Sequence, residues 1–159
     1  DSRIDPAIIG KAEPGELFVV RNVANLVPAY NQGNFYHGTS AAIEFGVRDL
    51  KVHDIVVLGH SQCGGIKHLC ECGDNSEDRP FISNWMKTIG NLNINGLEGE
   101  ARLRHAEKEG IKISKENLMT FPWIKDRVYA GDLTLHGLLF DLEKGELSRL
   151  TSENEWEQL

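Results

Sequence analysis

The sequence has few cysteines and no long apolar run. Its 159 residues include three cysteines, Cys63, Cys70 and Cys72, and such an odd, closely spaced set makes a poor disulfide framework. Thiols that stay reduced or bind metal are typical of a reducing compartment, so we expect the cytoplasm, or an organelle such as a plastid. Because no apolar run approaches the roughly 20 residues of a membrane span, we expect no membrane partner.

Basic charge is also scarce. The chain has 17 Lys and Arg against 24 Asp and Glu, a formal net charge of -7. This balance argues against a nucleic-acid partner, because phosphate binding requires a basic surface. The rest of the composition, 40% hydrophobic and 26% charged, is that of an ordinary globular protein. The length suits one domain spanning residues 1–159.

Apolar runs indicate the strands of the fold. Buried strands are predicted over residues 17–23 (LFVVRNV) and 52–58, a further strand over 133–142, and a short return strand over 147–150 after a Lys144-Gly145 turn. Helices are predicted from Thr39 or Ser40 to about Leu50, after Cys63, over much of 80–118, and from Pro122. This alternation predicts an α/β fold: a mostly parallel central sheet with helices on both faces and an antiparallel edge hairpin at the C-terminus.

The motif Gly-His-Ser-Gln-Cys-Gly-Gly (59–65) follows the second predicted strand, where α/β sheets carry their sites. Zinc takes imidazole and thiolate ligands, so His60 and Cys63 are candidate zinc ligands. Cys63 also precedes a predicted helix, whose dipole favours thiolate. Gly64 and Gly65 let the backbone approach a metal and offer N–H groups to a small anion. The alternative is a histidine that caps the strand beside a buried, chemically inert cysteine.

A second group, His68, Cys70 and Cys72, is compatible with a structural zinc knuckle. If the residues after Gly65 are helical, Cys70 lies about 10 Å along the helix axis from Cys63. That separation is too large for one metal with metal–sulfur bonds of about 2.3 Å. We therefore favour thiols near a helix end that bind no metal, with the knuckle as an open alternative.

Asp1 and Arg3 are two residues apart at the start of the sequence. In an extended segment their side chains lie on the same side, so Arg3 can hold the Asp1 carboxylate. By themselves, an aspartate and an arginine in this position are more often solvated surface residues.

Several short motifs occur together in the order found in one enzyme family. They are DSR (1–3), PGE (14–16), RNVAN (21–25), SAAIEF (40–45), GHSQCGG (59–65), NLMTFP (117–122) and LHG (135–137). Over nearly its whole length the sequence resembles the β-class carbonic anhydrases, and their plant-type branch most. The resemblance implies a zinc enzyme that reversibly hydrates carbon dioxide to bicarbonate and a proton through zinc-bound hydroxide.

The resemblance also implies roles for particular residues. His60 and Cys63 match two of the family's zinc ligands, and Asp1 with Arg3 matches its catalytic dyad. The dyad belongs to a Cys-x-Asp-x-Arg pattern that begins here at its Asp. We therefore expect the first Cys ligand, with an N-terminal helical segment, to lie ahead of Asp1.

The resemblance further places Phe18 and Phe45 in an apolar substrate pocket, with the backbone N–H of Gly64 near the bound anion. It implies a homodimer or a higher homo-oligomer. Three alternatives stay open: a family member that hydrolyses carbon disulfide or carbonyl sulfide, a non-catalytic relative that has lost its metal, and a structural-zinc binding module.

Overall fold

The computed structural model describes residues 3–31, 37–72, 79–90 and 92–159. The strands are β1 (Asp54–His60), β2 (Thr134–Asp141), β3 (Glu146–Leu150) and β4 (Trp156–Gln158). The helices are α1 (Pro6–Gly10), α2 (Gly38–Glu44), α3 (Gly64–Cys72), α4 (Pro80–Met86), α5 (Gly99–Leu118) and α6 (Pro122–Ala130). Short 3-10 turns cover Val23–Asn25 and Lys87–Ile89, and a π-helical turn over Phe45–Asp49 extends α2. The α/β class predicted from the sequence is confirmed.

The described strands form one sheet in the order β1-β2-β3-β4. β1 and β2 are parallel, with Val57 opposite Gly137, whereas β2 with β3 and β3 with β4 are antiparallel. The predicted C-terminal hairpin is confirmed, and β4 adds an antiparallel strand that the sequence did not predict. The sheet is therefore mixed, with its parallel pair on the side that carries the His60 motif.

Helix α5 packs directly against the parallel pair of strands. Ile111, fully buried, touches the sheet where both strands carry glycine. A Cβ atom at Gly59 would lie 2.7 Å from Ile111 Cδ1, and one at Gly137 would lie 2.9 Å from Ile111 Cγ2. These two positions therefore require glycine because the helix approaches the strands so closely. A second apolar cluster, which includes Cys63, Ile66 and Met86, fills the space around α3 and α4.

The strand predicted over residues 17–23 is wrong for this structure. Residues 17–22 carry no regular structure, and residues 23–25 form the 3-10 turn. A strand requires a hydrogen-bonded neighbour, and no strand of the described part of the chain pairs with this run. Leu17, Phe18, Val19 and Val20 are consequently about half exposed instead of buried.

The helix predictions agree with the structure within a few residues. Helix α6 begins at Pro122 as expected, and α2 with its π-helical turn covers the predicted helix up to Asp49. The stretch 80–118 contains two helices, α4 and α5, separated by a loop. Within the described ranges, none of the helices combines the length and the apolar character needed to cross a membrane.

Candidate metal centre

The two candidate ligands lie at the ends of a tight loop between β1 and α3. His60 is the last residue of β1, and Cys63 immediately precedes α3; each is 2% exposed. Between them, Gln62 has a φ of 56°, in the left-handed region that residues with a Cβ seldom occupy. Gln62 therefore lies in the turn that joins the residue bearing the imidazole to the residue bearing the thiol.

Ser61 ties the loop to the end of β2. Its backbone N–H donates to the Phe140 carbonyl at 2.9 Å, and its hydroxyl accepts from the Leu142 N–H at 2.7 Å. The loop is thus anchored to the neighbouring parallel strand on one side and to helix α3 on the other. Side chains held this firmly can form a preorganised site.

The His60 ring has the hydrogen bond expected of a metal ligand. Its Nδ1 lies 2.8 Å from the Ser61 carbonyl, which can only accept, so Nδ1 carries the proton and Nε2 carries the lone pair. Metal-binding histidines commonly donate their second ring nitrogen to a carbonyl or carboxylate in this way. Burial lowers the pKa of His60, partly opposed by the Ser61 hydrogen bond, and so favours the neutral ring that ligation needs.

A buried acidic residue from α5 reaches the same loop. Glu107 accepts the Cys63 backbone N–H on Oε1 at 2.8 Å, and its Oε2 lies 3.2 Å from Arg104 Nη1. Burial raises the pKa of Glu107, while the loop amides and the charge of Arg104 oppose that rise. Both carboxylate oxygens accept hydrogen bonds, one of them from the charged guanidinium of Arg104, and this arrangement favours the ionised carboxylate.

Sequence reasoning missed Glu107, although a signal was present. The buried face of α5 carries Glu107, Gly110, Ile111, Ser114 and Leu118, a helical stripe of otherwise small or apolar residues. An acidic residue in such a stripe is unusual, since a buried carboxylate requires specific partners. That single departure from the pattern could have identified it.

The structure brings one member of the predicted dyad to this loop. Arg3 Nη2 donates to the Gln62 carbonyl at 2.8 Å, between the two candidate ligands. Asp1, the other member, lies outside the described residues. The dyad itself therefore stays a prediction.

The predicted pocket phenylalanines pair with each other. The rings of Phe18 and Phe45 are 5.9 Å apart between centroids and tilted by 47°, and Phe18 also packs on Gly46. Both side chains are about half exposed, at 47% and 48%. Gly64 is the first residue of α3, and no atom lies within 4 Å of the position its Cβ would take. Their roles in substrate binding remain predictions.

The rival zinc knuckle involves residues farther along α3. His68 is buried and Cys70 is half-buried, whereas the Cys72 side chain lies outside the described part. Within the described residues, no group of three or more His, Cys, Asp and Glu side chains is arranged to hold a metal ion. The imidazole and thiol donors and the tautomer of His60 nevertheless fit two ligands of a zinc ion at the 60–63 loop. The described residues do not supply the remaining ligands.

Comparison with known proteins identifies the family. A family model described as carbonic anhydrase matches residues 1–147. The chain belongs to the β-carbonic anhydrase family. Beta carbonic anhydrase 5, chloroplastic, of Arabidopsis thaliana is 41% identical over 143 residues, which cover 86% of this chain and 47% of that protein.

Solved β-carbonic anhydrases have the same fold. The structure of the β-carbonic anhydrase CcaA superposes with a TM-score of 0.91 at 35% identity, covering 100% of this chain and 80% of that one. One of two tetrameric β-carbonic anhydrases from Sordaria macrospora gives a TM-score of 0.81 at 27% identity, covering 94% and 76%. The chain spans about half the length of the curated β-carbonic anhydrases it matches.

Proposed function

We propose that this protein catalyses the reversible hydration of carbon dioxide to bicarbonate and a proton at a zinc ion bound by His60 and Cys63. The observation that carries the proposal is the loop between β1 and α3. There a buried imidazole, whose Nδ1–H is engaged by the Ser61 carbonyl, lies three residues from a buried thiol. Membership of the carbonic anhydrase family supports the same reaction.

Zinc, when bound, supplies Lewis acidity that makes hydroxide available near neutral pH. The chain's own residues then bind and orient the substrate. We propose that Asp1 accepts a hydrogen bond at the nucleophile and that Arg3, already held at the Gln62 carbonyl, fixes its carboxylate. Phe18 and Phe45 suit a small apolar substrate, and the Gly64 N–H, at the start of α3, suits the anionic product.

We also propose that the protein forms a homodimer or a higher homo-oligomer. Leu17, Phe18, Val19 and Val20 are four consecutive apolar residues that are each about half exposed, which we call the 17–20 patch, and half-exposed Phe45 contacts Phe18. Contiguous exposed apolar surface is typical of interaction sites. The tetrameric relatives from Sordaria macrospora support self-association as the reason for this patch.

A reducing compartment, the cytoplasm or a plastid, is part of the same proposal. The cysteines Cys63 and Cys70 form no disulfide in the described part of the structure. The Arabidopsis relative, named as chloroplastic, is consistent with the second of these compartments.

The proposal is tested by metal content and carbon dioxide hydration, measured on protein expressed from its complete reading frame. We expect stoichiometric zinc in the parent protein, and Cys63→Ser and His60→Asn should lose zinc and reduce hydration to the uncatalysed background. Cys70→Ser is the matched control and should keep both. Stoichiometric zinc in Cys63→Ser would refute the site, and faster turnover of carbonyl sulfide or carbon disulfide than of carbon dioxide would refute the substrate.

A further inference from the structure

We infer that buried Glu107, paired with the partly exposed Arg104, is a positioning device that holds the 60–63 loop in its left-handed turn and thereby sets the metal affinity of His60 and Cys63. The inference rests on the proposed zinc site. Neither residue belongs to the motifs by which the sequence resembles its family. The argument concerns how the loop is held, since neither side chain supplies a metal ligand.

The loop is strained at one residue. Gln62, with a φ of 56°, lies between the two proposed ligands, and the left-handed region is unfavourable for a residue with a Cβ. Such a conformation persists only where surrounding contacts enforce it. If Gln62 relaxed to a negative φ, the backbone would rotate Cys63 relative to His60 and change the arrangement of the two donor atoms.

Glu107 enforces the turn from the side of the helix. Its carboxylate accepts the backbone N–H of Cys63, the residue directly after the strained one, at 2.8 Å. The Glu107 side chain is only 1% exposed, so no water competes for this bond. A charge-assisted hydrogen bond in a buried place is stronger and more directional than one at the surface.

Arg104 links that anchor to the opposite side of the loop. Its Nη1 lies 3.2 Å from Glu107, and its Nη2 lies 3.3 Å from Glu100 on the same helix and 3.8 Å from Glu143. Glu143 in turn accepts the side-chain amide of Gln62. Contacts from α5 and from the β2–β3 turn therefore both converge on the strained residue and its neighbour.

The pair is hard to explain as a device for stability alone. Glu107 lies in the core stripe of α5, where an apolar side chain would pack without desolvating a charge. Burying an ion pair is often no more stabilising than burying well-packed apolar residues. A carboxylate at this position is explained if its task is to accept the backbone N–H of Cys63, a proposed metal ligand.

The test measures zinc affinity by competition with a chelator, using protein expressed from its complete reading frame. In Glu107→Ala, the zinc dissociation constant should rise about 10–100-fold, the usual effect of removing an outer partner of a metal ligand. Glu107→Gln keeps one acceptor oxygen and should show a smaller rise. Glu116→Gln, an exposed position on the same helix, is the matched control and should not change the constant.

A rescue variant separates positioning from a general loss of structure. Gly adopts a positive φ without a Cβ clash, so Gln62→Gly should restore much of the lost affinity in the Glu107→Ala background. A purely structural role would leave the double variant at least as weak as Glu107→Ala. An unchanged dissociation constant in Glu107→Ala, or failure of Gln62→Gly to recover any affinity, would overturn the inference.

Hydrogen exchange at the Cys63 amide of the metal-free protein provides a readout that does not depend on zinc. Loss of the Glu107 acceptor should accelerate this exchange at least tenfold in Glu107→Ala. If the parent protein binds no zinc but the acceleration is seen, the proposed function fails while the loop-holding role of Glu107 is supported. Exchange as slow as in the parent protein would overturn the inference even where zinc binds.

Discussion

At the scale of single residues, Gly59 is a position where packing leaves no room for a side chain. A Cβ there would come within 2.7 Å of Ile111 Cδ1 and 3.0 Å of Asn25 Oδ1. Overpacking of this kind typically costs about 1–3 kcal/mol, so Gly59→Ala should lower the free energy of unfolding in urea by that amount. Ile111→Val removes the closest atom, and we expect it to recover part of the loss in the double variant. Gly10→Ala, with no atom within 4 Å, is the control and should stay within about 0.5 kcal/mol.

Also at the residue scale, the sequence pointed to the candidate ligands, which stay a prediction, but not to the contacts that hold their loop. His60 and Cys63 are three residues apart in a motif with glycines on both sides, so local spacing sufficed to predict a joint site. Glu107 is 44 residues from the amide it binds, and only the packing of α5 on β1 brings them together. The positive φ of Gln62 was equally invisible, because glutamine carries no preference for that conformation.

At the scale of elements, the first turn of α3 packs against the Val23–Asn25 turn at Gly65. A Cβ at Gly65 would lie 2.7 Å from Val23 Cγ1 and 3.2 Å from Ala24 Cβ, whereas one at Gly64 meets nothing within 4 Å. Gly65→Ala should therefore lower the free energy of unfolding by about 1 kcal/mol, since exposed Val23 can partly move aside. Gly64→Ala should leave it unchanged or raise it by up to about 1 kcal/mol, because Ala favours helix.

The two adjacent glycines thus provide a matched pair, compared by urea unfolding. Equal destabilisation of both variants would contradict the close packing of α3 against the Val23–Asn25 turn at Gly65. If Gly64→Ala is stable but hydrates carbon dioxide slowly, the loss belongs to the site and not to the fold.

Also at the scale of elements, the lack of a partner strand explains why the strand at residues 17–23 was predicted wrongly. The run at residues 17–23 has the apolar composition of a buried strand, but composition does not tell which neighbour a strand will have. The similar run in β1 succeeds because β2 pairs with it along its whole length. Pairing is a long-range property, and therefore the β1 prediction was confirmed while an equally apolar run at 17–23 lacks a partner strand among the described residues.

At the scale of the whole molecule, the 17–20 patch is the surface we expect a second copy of the chain to cover. Covering half-exposed apolar side chains is favourable by about 25 cal/mol per Å² removed from water, and a glutamate at the centre of an interface opposes that burial. The double variant Leu17→Glu, Val19→Glu should therefore shift the protein to a smaller assembly in sedimentation velocity at micromolar concentration. It leaves Phe18 and Phe45, the proposed pocket residues, in place.

Phe81→Glu is the control, because Phe81 is, at 91%, the most exposed large apolar side chain among the described residues and lies on α4 outside the patch. It introduces one glutamate, against two in the patch variant, on another exposed apolar position and should leave the assembly unchanged. If the patch variant sediments like the parent protein, or if only Phe81→Glu dissociates it, then residues 17–20 do not form the subunit contact. The exposure of these residues would then require another partner, because contact between water and four half-exposed apolar side chains is unfavourable.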